Sequence, residues 1–371
     1  MLPTAAVFTD TYLPTVNGVT YTIRTWRSRW ADRGGEMPVV YPDGDGYDPE
    51  AGEWPVRSVS LPFYNEYNVG LPAVPDSLAA TDPDLVHAHT PFLLGLSGLR
   101  YAGSHDLPLV ASYHTPTAEY ADYISEGWLQ SPIERAARRY ETWYLEHADV
   151  VVVPSDPARE ALRNQGVSAP VEVVPNGVDI DQFRPVEGDA FRRAHDLPRD
   201  RPLVGYTGRH GYEKRLDLLV EAADGLDATV VFGGDGPARE RLEERAAAVD
   251  ADVRFLGFLD RCDLPAFYSA LDVFAFPSPV ETQGLVALEA TACGTPVAAV
   301  DAGALSDTIR NGENGYRGPP SDVAAFRATI ERTLAERETL RERCLDSREA
   351  MSVEHAVDSL TEVYDQVRTE A

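Results

Sequence analysis

Short runs of consecutive apolar, largely β-branched residues recur along the chain, each giving way to polar or glycine residues and then to helical periodicity. The first six are Ala5–Phe8, Val39–Tyr41, Leu85–Ala88, Leu109–Tyr113, Val150–Val153 and Val171–Val174. The pattern restarts with Leu203–Tyr206, Thr229–Phe232, Val253–Leu256, Val273–Phe276 and Val297–Val300. Strands that are apolar without alternation are covered on both faces, as in parallel sheets sandwiched between helices. Two such series predict an α/β chain of two Rossmann-like, doubly wound parallel-sheet domains. The turn-rich segment "VVPNGVDIDQFRP" (Val173–Pro185) is the natural connection between them. It gives domains over 1–174 and 175–351. A last segment, 352–371, carries Val353, Val357, Leu360, Val363 and Tyr364 at helical spacing, a helix able to pack on either domain. Ligands of open parallel sheets sit beyond the carboxyl ends of the strands. Two such domains facing each other enclose a central cleft, so strand-end residues carry the chemistry.

Charge changes the picture in one direction. Asp and Glu number 60 against 33 Lys and Arg, a formal net charge of -27, while 43% of residues are hydrophobic. That is a folded protein with an acidic surface rather than a disordered acidic chain. No basic run is present to neutralise phosphates, which argues against nucleic acid as a partner. Lys214 is the only lysine. Lysine depletion with excess carboxylate fits a halophilic protein working in concentrated salt, where charges are screened within about 3 Å at 1 M; a GC-rich genome writing arginine for lysine is the other explanation. Cys262, Cys293 and Cys344 are scattered and contain no CxxC pair, so neither a disulfide framework nor a zinc site is indicated. No basic leader precedes the first apolar run, and Glu289 and Pro296 interrupt the longest one, Leu285 to Val300. The expectation is a cytoplasmic protein, with peripheral contact at the inner face of the membrane left open.

The strand ends supply the candidates. In "FTDTYLPTVNGVTYTIRTW", Gly18 lies where a strand passes into a helix, so free amides can meet a phosphate, although a steric role for the glycine serves as well. In "LVGYTGRHGYEKRLD", Arg209 and Lys214 share one loop, a planar fork and a compact point charge suited to a diphosphate. A solvated helix start does not explain why this one lysine persists. "VVFGGDGP" places Gly234 after a strand but lacks the third glycine of a dinucleotide fingerprint; it is either a surface for a nucleotide or a tight turn. "ETQGLVALEATACGTPV" carries Glu281 in a loop, Leu285 and Val286 at a helix start with free amides, and Glu289 among Ala287, Leu288, Ala290 and Ala292. A carboxylate in apolar company is costly unless paired, and the hydroxyls of a ribose would pair it; an exposed helical Glu is the alternative. His87 and His89 in "LVHAHTPF", and His114 in "SYHT", end two strands, too loosely patterned for zinc. His114 can donate to a sugar hydroxyl or serve the fold.

Together these motifs resemble glycosyltransferase family 4, retaining enzymes of the GT-B fold. The likeness runs through "FTDTYLPTVNGV", "SYHT", "VPNGVD" at 174–179, "GRHGYEK" at 208–214, "GDGP" at 234–237 and the block 281–297, whose paired glutamates are its most specific part. The resemblance implies a metal-independent hexosyltransferase with no cofactor beyond a UDP- or GDP-linked sugar donor. Arg209 and Lys214 would neutralise the departing diphosphate, which Gly18 and the amides of Leu285 and Val286 would hold; Glu289 would bind ribose; Glu281 and His114 would hold the sugar. The acceptor hydroxyl would attack from the face the diphosphate leaves. "LPFYNEYNVGLP" (61–72) and "SYHTPTAEYADYI" resemble the subgroup that glycosylates diacylglycerol-type lipids, including glucosyl-, mannosyl- and sulfoquinovosyltransferases, with Asp10, Tyr120 and Tyr123 as acceptor-side candidates. Trp26 and Trp30 of "YTIRTWRSRW" would meet lipid or fill the core. A GT-B sugar-nucleotide epimerase and a noncatalytic two-domain sugar-binding protein are the rival readings.

Overall fold

The computed structural model describes residues 2–61, 64–114 and 130–370. The chain divides into two units, Met1–Asn176 together with Val353–Ala371, and Gly177–Ser352.

The first unit is built on a seven-stranded sheet of β1 (Ala5–Phe8), β2 (Val39–Pro42), β3 (Glu53–Val56), β6 (Leu85–Ala88), β7 (Leu109–Ser112), β8 (Val150–Val153) and β9 (Val171–Val173). Their order is β3-β2-β1-β6-β7-β8-β9, and every pairing is parallel. β4 (Ser58–Leu61) and β5 (Tyr64–Gly70) form a separate antiparallel pair. Strand order reverses at β1, so the crevice of this sheet opens between the ends of β1 and β6.

The helix Gly18–Asp32 starts where Asn17 accepts the Thr20 amide at 2.9 Å, a side-chain cap that leaves the first amides without intrahelical acceptors. Its face of Ile23, Trp26 and Trp30 is buried with Val7, Val39, Val357, Leu360 and Tyr364. Burial of two indoles requires partners for their N–H groups. Trp26 Nε1 donates to the Asn176 carbonyl at 2.8 Å and Trp30 Nε1 to that of Pro3 at 3.0 Å. Both tryptophans are therefore core residues, and neither is left to face lipid. The terminal helix Val353–Glu370 packs in the same cluster, the Trp30 and Tyr364 rings meeting edge-on at 5.2 Å.

The second unit repeats the plan with β10 (Leu203–Thr207), β11 (Thr229–Gly233), β12 (Val253–Gly257), β13 (Val273–Phe276), β14 (Val297–Val300) and β15 (Gly315–Gly318). The order β12-β11-β10-β13-β14-β15 is again all parallel and reverses at β10. Residues of β10, β11, β13 and β14 are buried without alternation, as two-sided cover demands.

Candidate functional site

In the second unit, the loops after β10 and β13 flank the switch point of the sheet. The first carries Arg209 and then a short 3-10 turn, Tyr212–Lys214. The second carries Glu281 and ends at Gly284, whose left-handed φ of 81° opens the helix Leu285–Ala292. A Cβ there would lie 3.0 Å from both Leu305 and Phe276, so glycine serves conformation and space alike. Lys214 Nζ donates to Glu281 Oε1 at 2.7 Å, joining the two loops across 67 residues of sequence. Both side chains are mostly shielded, which strengthens the pair relative to a surface ion pair. Arg209 is more open and donates to Glu213 at 2.6 Å. Two cations and two carboxylates thus share this sheet end. The amides of Leu285 and Val286, in the first turn of the adjoining helix, have no intrahelical acceptor.

The loop 280–284 is itself held from behind. The Ala304 amide donates to the Glu281 carbonyl at 3.0 Å, and Thr308 Oγ1 to that of Gln283 at 2.8 Å. Glu281 is therefore a positioned carboxylate rather than one on a loose loop.

Glu289 lies buried in the following helix. Arg261 donates to Oε1 at 3.0 Å and the Tyr268 hydroxyl to Oε2 at 2.8 Å. Burial raises its pKa, and the Arg261 charge followed by these hydrogen bonds opposes that rise. The cost of burial anticipated from the sequence is met inside the chain, so a ribose is not needed to explain this carboxylate. Sequence reasoning missed Arg261 and Tyr268. The only available signal was an arginine in the loop after an apolar strand, which fixes no partner.

Gly234 has φ 104° and its amide donates to the Gly257 carbonyl at 2.6 Å. A Cβ on it would stand 2.1 Å from the Gly208 carbonyl oxygen, and one on Gly236 would stand 2.8 Å from backbone atoms of His210. These glycines let the "GDGP" turn lie directly on the loop bearing Arg209. Gly234→Ala is expected to cost on the order of 3 kcal/mol, from backbone conformation plus collision. Urea unfolding measures it, and a midpoint equal to wild type would show that the turn can move aside.

In the first unit, Asp10 follows β1 at the start of the helix Leu93–His105. It accepts from the Leu94 amide at 2.9 Å, the Gly95 amide at 3.2 Å and Thr90 Oγ1 at 2.7 Å. Its carboxylate is thus engaged as a helix-terminal anion, and burial still raises its pKa against those bonds. Gly18 is the first residue of its helix. Tyr120 and Tyr123 lie outside the described residues.

The three histidines come together. His87 Nδ1 and the Tyr364 hydroxyl are 2.6 Å apart, and His87 Nε2 and Ser112 Oγ 2.7 Å. His89 Nδ1 and His114 Nε2 are 2.9 Å apart, with ring planes within 8°. Burial lowers the pKa of His87 to about 3 and of His114 to about 4, and holds His89 well below the usual imidazole range. Lowered folded values mean that the unfolded chain binds more protons, so this stability is complete above pH about 6.5 and is lost as pH falls toward the folded values. At pH 5 the loss is about 2 kcal/mol for each of His87 and His114. Urea midpoints at pH 7.5 and 5 are expected to show it, and His87→Gln should reduce the difference; the same difference in that variant would place the effect elsewhere. Among the described residues no cluster of His, Cys, Asp or Glu is arranged to hold a metal ion, and no helix is long and apolar enough to cross a membrane.

Comparison with known proteins converges on one group. A family model described as Glycosyltransferase Family 4 matches residues 16–182, and one described as Glycosyl transferases group 1 matches 188–349. The chain is 33% identical over 295 residues to the sulfoquinovosyl transferase SQD2 of Arabidopsis thaliana, covering 76% of this chain and 56% of that protein. It is 32% identical to a GDP-mannose-dependent alpha-mannosyltransferase of Mycolicibacterium smegmatis, covering 82% of this chain and 81% of that one. It is 30% identical to the alpha-monoglucosyldiacylglycerol synthase of Streptococcus pneumoniae, covering 79% and 70%. Among solved structures, sucrose-phosphate synthase of Thermosynechococcus elongatus superposes with a TM-score of 0.80 at 24% identity over 100% of both chains. Anabaena HepE in complex with UDP-glucose gives 0.76 at 18%, covering 98% of this chain and 99% of that one.

Proposed function

Because the chain belongs to the GT-B glycosyltransferases of the family 4 and group 1 type, we propose that it is a retaining, metal-independent hexosyltransferase using a UDP- or GDP-linked sugar. Its acceptor, on this reading, is the hydroxyl of a membrane lipid in glycolipid synthesis. The observation that carries the reading is the Lys214–Glu281 pair at the switch point of the second sheet. A lone lysine, in a chain that otherwise uses arginine, is held by a positioned carboxylate beside the free amides of Leu285 and Val286.

The chemistry follows from those groups. The pyrophosphate displaces Glu213 from Arg209 and meets the Lys214 ammonium, so that charge developing on the leaving group is balanced by groups already in place. Gly18, with the amides of Leu285 and Val286, binds further phosphate oxygens. Glu281 holds the sugar, as does His114. Glu289 binds the ribose while keeping Tyr268 or Arg261 as its second partner, and Gly234 keeps the nucleotide close to backbone. The acceptor hydroxyl attacks the anomeric carbon on the face from which the diphosphate departs, and a phosphate oxygen takes its proton. Asp10 is the acceptor-side candidate on this reading, together with Tyr120 and Tyr123, which lie outside the described residues.

A lipid acceptor is favoured by two of the relatives, the sulfoquinovosyl transferase and the alpha-monoglucosyldiacylglycerol synthase; the GDP-mannose-dependent relatives leave the donor base open between UDP and GDP. On the same reading the enzyme works in the cytoplasm, against the inner face of the membrane, in concentrated salt. The test is thermal shift in multi-molar and low KCl with UDP, GDP, ADP and their sugars, followed by product analysis with and without diacylglycerol vesicles. One nucleotide series at about 100 times its dissociation constant should add about 2.7 kcal/mol. No stabilisation by any of them would overturn the donor assignment, and conversion of donor without acceptor would indicate an epimerase. Equal melting in both salts would remove the halophilic part.

A further inference from the structure

We propose that His210 is a positioning residue for the nucleotide: its imidazole, donating from Nε2, fixes the peptide that leads into the "GDGP" turn against the loop of Arg209 and Lys214. The inference rests on the reading of that turn as the place where the nucleotide lies.

His210 meets the turn at three points. Its backbone amide donates to the Asp235 carbonyl at 2.8 Å, its carbonyl accepts from the Ala238 amide at 2.9 Å, and its ring Nε2 stands 3.3 Å from the Gly233 carbonyl oxygen. The two backbone bonds are open to almost any residue. Only the third depends on histidine. A carbonyl oxygen accepts and cannot donate, so the proton of the neutral ring lies on Nε2, and the contact itself sets the tautomer. The Gly233 carbonyl also takes the Gly208 amide at 3.2 Å, and the Gly234 amide, at the other end of the same peptide, goes to the Gly257 carbonyl of β12 at 2.6 Å. A peptide is a rigid plane, so holding both ends of it fixes the direction in which the turn departs.

The rest of the ring gains nothing polar. His210 is fully buried, with Phe232 at 6.0 Å and Phe255 at 6.4 Å edge-on to it and Tyr206 tilted at 6.4 Å. Among the described residues its buried Nδ1 has no hydrogen-bond partner. Burial also lowers the pKa of the ring, so the neutral form that the Gly233 contact needs is the one this pocket keeps. A buried acceptor without a partner lowers stability. Leucine in the same pocket would bring no such acceptor, and the Gly233 carbonyl would keep its bond from Gly208. Packing alone therefore favours an apolar residue here, and what histidine adds is the hold on the turn.

The test uses His210→Leu and His210→Gln, followed by melting temperature, ¹⁵N-histidine spectra, affinity for UDP and GDP, and steady-state turnover of UDP-glucose and GDP-mannose. Wild type is expected to show a neutral His210 protonated at Nε2, its signal identified by its loss in the leucine variant. His210→Leu should melt no lower than wild type, bind its nucleotide about five- to tenfold more weakly, and show that loss in KM rather than in kcat. His210→Gln, whose Nε2 can reach the place of the ring nitrogen, should regain most of the affinity. Protonation at Nδ1, a leucine variant with wild-type affinity, or a glutamine variant that binds like leucine overturns the proposal. So does a leucine variant that unfolds well below wild type, which would make His210 a residue of the core alone. Wild type that binds neither UDP nor GDP would dismiss the donor reading and this proposal with it, a failure distinct from any that the variants can show.

Discussion

With Lys214 replaced by alanine, kcat for donor turnover is expected to fall by about 10²- to 10³-fold, the usual effect of losing one preorganised group at a developing anion. Steady-state kinetics with the nucleotide sugar that stabilises the wild type checks this, and a loss below tenfold would remove Lys214 from the leaving-group site. The substitution also strands Glu281, a largely buried carboxylate whose ammonium partner sits 2.7 Å away. That costs on the order of 1–3 kcal/mol of stability. The double variant Lys214→Ala with Glu281→Gln should recover much of the stability and none of the turnover, which separates the two roles. Lys214→Arg answers a different question. A guanidinium keeps the charge but spreads it over a wide plane, and Arg209 already supplies a fork on the same loop. Most of the activity should be lost although the net charge is unchanged, and a variant near wild-type rate would leave the retention of this single lysine unexplained.

Arg261→Ala is expected to produce the largest loss of stability, about 3–5 kcal/mol, because it leaves a buried carboxylate without its countercharge. In a unit of this size that corresponds to a melting temperature lower by roughly 10 °C. Tyr268 still donates to Oε2, so the remaining strain falls on Oε1. The sign of the pH dependence is an added check. Burial sets the folded pKa of Glu289 above its usual value, so the folded state binds more protons and stability declines as pH rises through the folded value. Losing Arg261 removes the nearby positive charge that most strongly opposes that rise. The variant should therefore be closest to wild type in mild acid and furthest from it at pH 8, and a uniform deficit across that range would mean that Glu289 is not the group responsible. Pairing the change with Glu289→Gln should restore stability, while donor affinity reports separately on ribose.

The strands that could be read from sequence are those with consecutive apolar residues, such as β8 and β14, because two-sided burial writes itself into every position. β15 is "GYRG", and β3 is "EWPV". The glycines of β15 suit close packing instead of side-chain burial; a Cβ at Gly315 would stand 1.9 Å from the Val297 carbonyl oxygen. Proline in β3 is tolerated at the sheet edge, where a missing amide costs little. The site divided in a similar way. Lys214 stood out as the sole lysine, and Glu281 through its motif. The partners of Glu289 and the bond between His89 and His114 join residues 28, 21 and 25 positions apart in sequence. No local periodicity encodes such pairs; His87, His89 and His114 were legible only as histidines at the ends of two strands.

The terminal helix has a consequence for synthesis. Residues 353–371 complete the unit that residues 1–176 begin, and the whole of Gly177–Ser352 is spelled out between them. Val357, Leu360 and Tyr364 belong to the same apolar cluster as Trp26 and Trp30. A ribosome therefore releases everything needed for the second core before it has made the last face of the first. The first core, with its two tryptophans and the place of Tyr364 beside His87, can therefore be completed only after the whole of the second unit has been made.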